Sequence, residues 1–258
     1  MIDINLKNLC DKTNLKLDDE QIFKLLKLKD FTIEENNKFN LTAIKDSCDF
    51  DDKMIIDSLF VSSFLDLNNK KIIDIGTGAG FPGLPLAIKY PNSSFNLLDS
   101  TNKKIIHINN AIKLLDVKNV FPICFRAEEY ARNNYEKYDV SIARAVSKLN
   151  ILMEICTPLL KIDGLFVALK GPNFQEEINE SKSAMAKLHL SLENVYTFHL
   201  PLSNEERSIL IFKKNKETNR KYPREYSLIK AKPLWWNAKL FLLQTKRAGW
   251  EKPLQLLI

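Results

Sequence analysis

Ile72-Ile73-Asp74-Ile75-Gly76-Thr77-Gly78-Ala79-Gly80-Phe81-Pro82-Gly83 reads as a buried strand running straight into a crowded glycine loop. Three glycines at alternate positions let the backbone take left-handed angles and approach a ligand that any Cβ would push away. Pro82 and Pro85 then fix φ near the helical value at positions where an amide donor is dispensable, so a helix is predicted to open here. A strand end, a bend and a helix N-terminus therefore meet at one point.

Two ligands suit such a loop, and its register separates them. Counted from Gly78, the glycines at 78, 80 and 83 satisfy G-x-G-x-x-G, the pattern that seats a dinucleotide pyrophosphate on a helix N-terminus. The apolar strand ends at Gly76, however, and counted from there the third position of that pattern is Phe81. Asp-x-Gly-x-Gly-x-Gly on a strand end instead resembles motif I of the S-adenosylmethionine-dependent methyltransferases, whose loop wraps the methionine part of the cofactor. A pyrophosphate wants unobstructed helix amides. A zwitterionic tail with a sulfonium wants close backbone and a nearby carboxylate such as Asp74, which otherwise braces the loop by accepting its amides. Asp99 closes the next apolar run, Phe95-Asn96-Leu97-Leu98, about 20 residues beyond the loop, where a ribose-binding acid belongs. The plainer reading of Asp99 is a helix cap.

From Lys70 onward, apolar strand candidates alternate with helix-length segments, the signature of a parallel α/β sheet. Strands are predicted near 71–75, 94–98, 119–125, 138–143 and 164–169. Two more, near 192–199 and 207–213, leave no room for a helix between them and are expected to pair antiparallel. Residues 1–66 instead show helical spacing, at Ile22, Leu25, Leu26 and Ile33 and again at Met54, Ile55, Leu59, Phe60 and Phe64, with Asp18 and Asp51 as helix starts. The expected fold is an α/β, Rossmann-like seven-stranded sheet of the class I methyltransferase plan with an N-terminal helical prefix. The expected divisions are a helical region at 1–66, a methyltransferase domain at 67–215 and a basic, aromatic extension at 216–258.

With 258 residues, 45% apolar and 27% charged, the chain has the composition of an ordinary globular protein. No apolar run reaches bilayer length and the N-terminus lacks signal-peptide regions, so a cytoplasmic, membrane-free protein is expected. Cys10, Cys48, Cys124 and Cys156 are scattered and make no ligand spacing with His107, His189 and His199; neither a metal nor a disulfide is expected. The net charge of +6 is concentrated between Lys213 and Lys232, where eight basic residues face only Glu217 and Glu225. Tyr222, Pro223 and Tyr226 are interleaved with them. A basic strip carrying aromatics suits a phosphate backbone with bases to stack on, although a charged run is as often a solvated face.

In open sheets ligands bind beyond the strand carboxyl ends, so the residues following each strand bear on function. Arg126-Ala127-Glu128-Glu129 follows the third strand, the position that faces adenine in a methyltransferase; its acids also suit a helix's first turn. Ile142-Ala143-Arg144-Ala145 ends the fourth strand, where amino-group methyltransferases carry an Asn/Asp-Pro-Pro-aromatic cluster. That cluster is missing, and no cysteine stands where a cytosine C5 enzyme needs its thiolate. That absence points to an acceptor that needs no deprotonation; guanine N7 fits, as other bare nucleophiles would, with alignment supplying the rate. Arg144 is placed to reach cofactor or RNA phosphate, or to make a surface ion pair. Lys170-Gly171, after the fifth strand, is a second cationic candidate.

Together these residues resemble the RsmG (GidB) family of 16S ribosomal RNA guanine-N7 methyltransferases. The matching elements are Asn40-Leu41-Thr42-Ala43-Ile44, Asp57-Ser58-Leu59, Asp74 to Ile88 with its G-F-P-G-L-P-L-A-I extension, and Leu98-Asp99-Ser100 with Lys103-Lys104. Arg126-Ala127-Glu128-Glu129, Arg144-Ala145-Val146, Leu169-Lys170-Gly171 and Lys221-Tyr222-Pro223-Arg224 complete them. The resemblance implies S-adenosyl-L-methionine as cofactor, held around Asp74, Gly76, Gly78, Phe81, Asp99, Ser100, Thr101, Ala127, Glu128 and Arg144. It implies as substrate a guanine of 16S rRNA in the small ribosomal subunit, position 527 in the family's usual target. RNA contacts are expected at Arg144, Lys170, Lys221, Tyr222 and Arg224, with no general base, in a monomer. Met54 stands near where the family commonly has a histidine before Asp-Ser-Leu, and the run after Leu234 extends past the usual end, its apolar content suited to a helix on the core. At the level of sequence, a nicotinamide-dependent oxidoreductase and a non-catalytic RNA-binding module of the same fold remain the alternatives.

Overall fold

The computed structural model describes residues 4–44 and 46–234; the run from Trp235, expected as a further helix, lies outside them. Seven strands, β1 (Lys71–Ile75), β2 (Ser94–Asp99), β3 (Val120–Cys124), β4 (Tyr138–Arg144), β5 (Leu160–Lys170), β6 (Leu190–His199) and β7 (Glu206–Lys214), form one sheet in the order β3-β2-β1-β4-β5-β7-β6. The first five run parallel, while β7 lies antiparallel to β5 and to β6. β1 and β4 are neighbours although far apart in sequence, so the strand order reverses between them and opens a crevice at their carboxyl ends. Pairing of Ile75 with Ala143 brings the glycine loop beside Arg144 and Ala145.

β5 begins four residues before the expected 164. Tyr138 pairs with Leu160 and Val140 with Leu165, so the intervening residues form an irregularity within the strand. Asp163 (φ +64°) and Gly164 sit in it, which is why that stretch reads as a loop in sequence.

The sheet's two faces carry two cores, as a side-chain period of two requires. Ile72, Phe95, Leu97, Ile142 and Val167 join the helical prefix on one face, with Leu6, Leu25, Leu28, Phe50 and Ile55 in the same cluster. Ile73, Ile75, Ala143, Phe166 and Phe212 join Leu152, Met153, Ile178 and Ile229 on the other. The prefix thus has no core of its own and packs as the cover of one sheet face. Its long helix, Asp19–Phe39, starts as expected at Asp18, whose carboxylate accepts the Gln21 N–H while the Gln21 side chain accepts the Asp18 N–H.

Asp51 is not a helix start. Asp46 caps the next helix, accepting the N–H groups of Cys48 and Asp49, and Asp51 lies inside, buried and paired with Lys29 at 2.9 Å. The segment Asp51–Ile56 is a π-helical turn that leads into Asp57, a geometry often associated with functional sites. Among the described residues no helix is long and apolar enough to cross a membrane, and no group of three or more potential ligands converges on a metal position.

Candidate active site

Two cavities open at the carboxyl edge of the parallel strands. The first, about 330 Å³, lies over β1, β2 and β3 and is lined by Gly76, Asp99, Ser100, Thr101, Ala127 and Glu128, with Lys104, Phe125, Val146 and Tyr226 around them. The second, about 480 Å³, lies between the prefix and the ends of β4, β5 and β7, lined by Met54, Asp57, Arg144, Leu169, Lys170, Glu177 and Arg207. Ala145 borders both cavities and has φ +54°. A left-handed alanine is strained, and such strain tends to collect at functional sites.

The glycine loop is held from below. The N–H groups of Gly76 and Thr77 both donate to the Leu98 carbonyl, at 2.8 and 3.0 Å, tying the bend to β2. Asp74 is fully buried beneath it and accepts from Thr77 Oγ1 at 2.6 Å and from the Gly83 N–H at 2.9 Å. Burial pushes its carboxyl up to about 6, against those two hydrogen bonds. The Gly83 N–H is the first amide of the helix Gly83–Lys89, so Asp74 occupies a donor that a pyrophosphate would need. That geometry removes the dinucleotide reading.

Asp99 does three things at once. One oxygen accepts the Thr101 N–H at 2.9 Å; the other accepts the Gly78 N–H at 3.1 Å and the Lys104 ammonium at 3.3 Å. It therefore fixes the loop and the following helix, whose cap position is Thr101, while facing the cavity. Glu128 stands in the first turn of the helix Ala127–Asn133 and is largely buried, yet among the described residues it makes no hydrogen bond. Gly78 has φ +62°, and a Cβ there would meet no protein atom within 4 Å. A left-handed backbone beside open space, a cavity-lining carboxylate without a protein partner among the described residues and a cavity-facing aspartate suit an adenosyl amino acid: loop backbone for the methionine part, Asp99 for the ribose, Ala127 and Glu128 for the adenine.

Six of the ten residues expected around the cofactor line the first cavity, and four do not. Asp74 lies under the loop, as described. Gly78 contributes backbone that holds Asp99. Phe81 turns its ring into the core, edge-on to Phe50 at 5.5 Å, and its N–H is bonded to the Thr77 carbonyl. Arg144 points into the second cavity, where its guanidinium donates to Asp57 Oδ2 at 2.9 Å and to the Lys53 carbonyl at 3.2 Å, and touches the Met54 sulfur at 3.5 Å.

The basic strip needs a larger correction. Tyr222 is buried, so it offers no open ring for a base to stack on. Arg224 makes a bidentate pair with the fully buried Glu154, 2.7 Å from each oxygen, and its own N–H adds a third bond at 3.0 Å. Lys214 is buried and bonded to Glu136 and the Leu160 carbonyl. Part of the strip is therefore a latch that brings Tyr226 to the rim of the first cavity. Lys221 remains exposed over the Tyr222 ring, and the Arg220 guanidinium lies 4.2 Å from the centre of the Tyr135 ring.

The sequence marks Lys104, Val146 and Asp57 only as parts of matching motifs and Tyr226 only as an aromatic of the basic strip, and it gives no role to Phe125, Glu177 or Arg207. Phe125 and Val146 follow strands β3 and β4 and were accessible to the carboxyl-end rule. Arg207 was not. β7 runs backwards, with Ser208 opposite Lys170, so its first residues lie at the edge where parallel strands end.

The family model for rRNA small subunit methyltransferase G matches residues 21–210. The chain belongs to this family. A ribosomal RNA small subunit methyltransferase G from Acetivibrio thermocellus is 42% identical over 222 residues, covering 85% of this chain and 91% of the relative. One from Mesoplasma florum is 44% identical over 197 residues, covering 76% and 83%. A solved S-adenosylmethionine-dependent methyltransferase from Aquifex aeolicus superposes with a TM-score of 0.50 at 12% identity, covering 70% of this chain and 98% of that one, a likeness of fold. Membership makes this chain an rRNA methyltransferase and sets aside the oxidoreductase and the bare binding module.

Proposed function

We propose that the chain transfers the methyl group of S-adenosyl-L-methionine to N7 of a guanine in 16S ribosomal RNA, with the cofactor in the first cavity and the base in the second. The meeting of the two cavities at Ala145 carries this reading. When bound, the cofactor supplies an electrophilic methyl on a sulfonium. With that methyl in line, the guanine N7 lone pair would take it and sulfur would be the leaving group, so the chain's residues need only hold the two in register. No proton leaves the base, so no general base is needed, which agrees with Asp57 having its oxygens turned to Arg144 and Arg207.

What the chain contributes is orientation, whose effective molarity is large when reacting atoms are held in line. Asp57 holds Arg144 at the junction of the cavities. Burial raises Asp57, and Arg144 and Arg207 oppose that rise by favouring its charged form. Exposed cations, Lys221 and Arg220 among them, meet the RNA phosphates, and the protein works as a monomer in the cytoplasm. The test is transfer of labelled methyl from S-adenosyl-L-methionine to unmodified small ribosomal subunits, with the product nucleoside identified. N7-methylguanosine is expected; no label, or label on another atom, overturns the assignment.

A further inference from the structure

The second cavity holds two carboxylates, Asp57 and Glu177, and their surroundings differ. Asp57 is enclosed by arginines, Arg144 Nη1 at 2.9 Å from one oxygen and Arg207 Nε at 3.8 Å from the other. Glu177, on the short helix Phe174–Glu180, has one oxygen pinned and one open. Its Oε2 accepts the Leu149 N–H at 2.7 Å and the Lys170 ammonium at 2.7 Å, and Lys170 is itself anchored to the Ser147 carbonyl at 2.9 Å. Its Oε1 makes no hydrogen bond among the described residues, although the side chain is only 27% exposed. A carboxylate fixed through one oxygen and free at the other, inside a cavity roomy enough to admit a nucleobase, is built to accept hydrogen bonds from something that enters.

Resting on the assignment of this cavity to the base, we infer that Glu177 reads the Watson–Crick edge of the target guanine, accepting from N1–H and the N2 amine. Guanine N7 must face the methyl donor, so the reacting atom cannot also be the point of recognition. The atoms that distinguish guanine from adenine are then O6, an acceptor, and the adjacent N1–H and N2–H donors. Arg144, next to the Ala145 that both cavities share, is the donor-bearing group for the O6 side. Glu177, in the lining of the same cavity, supplies the acceptor that the N1–H and N2 donors need. Adenine would set its N1 lone pair against the open Oε1, leaving that oxygen without a donor, and a site built to hydrogen-bond a group discriminates strongly against its absence.

The experiment uses small subunits assembled with 16S rRNA carrying either guanosine or inosine at the target position. Inosine keeps N7 and O6 and lacks only the N2 amine. Wild-type kcat/KM is expected to fall roughly 10- to 100-fold on inosine, the range for a lost hydrogen bond to a charged partner. Glu177→Gln is expected to be slow on guanosine and to discriminate less than about 3-fold, with unchanged affinity for S-adenosylhomocysteine. A wild type indifferent to inosine overturns the inference, as does a Glu177→Gln protein that retains the wild-type ratio, since a bracing role would slow both substrates equally. If the variant does not fold, the wild-type comparison decides alone: equal rates overturn it and a preference of about 10-fold or more upholds it. Absence of transfer to guanosine by wild type would instead count against the proposed function.

Discussion

At Gly76 the demands of backbone and cavity coincide. Its φ is +69°, and a Cβ there would sit 2.6 Å from Val146 Cγ2. Val146 is β-branched with little rotamer freedom, and it lines the first cavity, so the methyl would drive it into the space proposed for the cofactor. Gly76→Ala should lower affinity for S-adenosylhomocysteine by about tenfold or more, a loss of at least about 1.4 kcal/mol, measured by calorimetry on protein whose melting shows it folded. Gly78→Ala is the control, because its Cβ meets no protein atom; any affinity it loses beyond the conformational cost of about 1 kcal/mol in stability reports ligand at the loop. Asp74 gives a pH signature. Its folded value of about 6 lies above the ordinary 3.8, so the folded chain holds that proton over the window between them, and its contribution to stability is lost as pH rises from about 4 to about 6. Asp74→Asn keeps an acceptor for Thr77 and Gly83 and should abolish that slope. The wild-type minus variant difference in urea-unfolding free energy is expected to change by about 3 kcal/mol across the window, and a flat difference would show that Asp74 is already ionised below pH 4.

At the scale of elements, the extension after β7 shows where sequence stops being legible. A basic, aromatic run is visible in the letters, but whether a cation faces water or a buried acid depends on a partner 70 residues away, Glu154 for Arg224. Glu154 looks like an ordinary helical glutamate until the fold buries it completely. Breaking a buried pair from one side leaves an uncompensated charge, so Arg224→Ala should cost about 3 kcal/mol of stability. Lys221→Ala, at an exposed position, should leave stability within about 0.5 kcal/mol and reduce the salt slope of RNA binding. Chemical denaturation and binding isotherms at several salt concentrations separate the two; equal stability losses would mean that Lys221 too belongs to the latch. The strands were read more easily than the strip because a parallel strand buried on both faces must be apolar throughout, a signal carried within five to seven residues. The glycine loop was legible for a related reason: left-handed backbone leaves its mark in residue type.

Across the whole molecule, the prefix and the sheet share one core, so events at their interface bear on global stability. That interface was half legible: helical spacing announced the prefix, but not which side chains it presses against the helix Asn102–Leu115. His107 of that helix is 2% exposed, stacked on Phe31 at 5.0 Å with rings 7° from parallel, and its Nε2 lies 3.4 Å from Thr32 Oγ1. Its Nδ1 has no hydrogen-bond partner among the described residues. Burial pushes the imidazole down to about 4, with Glu35 opposing weakly. A histidine lowered in the folded state stays neutral there while the unfolded chain takes up a proton, so stability is complete above pH 6.5 and is lost as pH falls toward 4. Between pH 7 and pH 5 the loss attributable to this side chain should be about 2 kcal/mol. His107→Phe preserves a flat ring against Phe31 and carries no proton. Measured by urea unfolding, wild type should lose that much more stability than the variant over the interval. Parallel losses in the two proteins would mean that the imidazole stays protonated within the fold and that the prefix docks without regard to its charge.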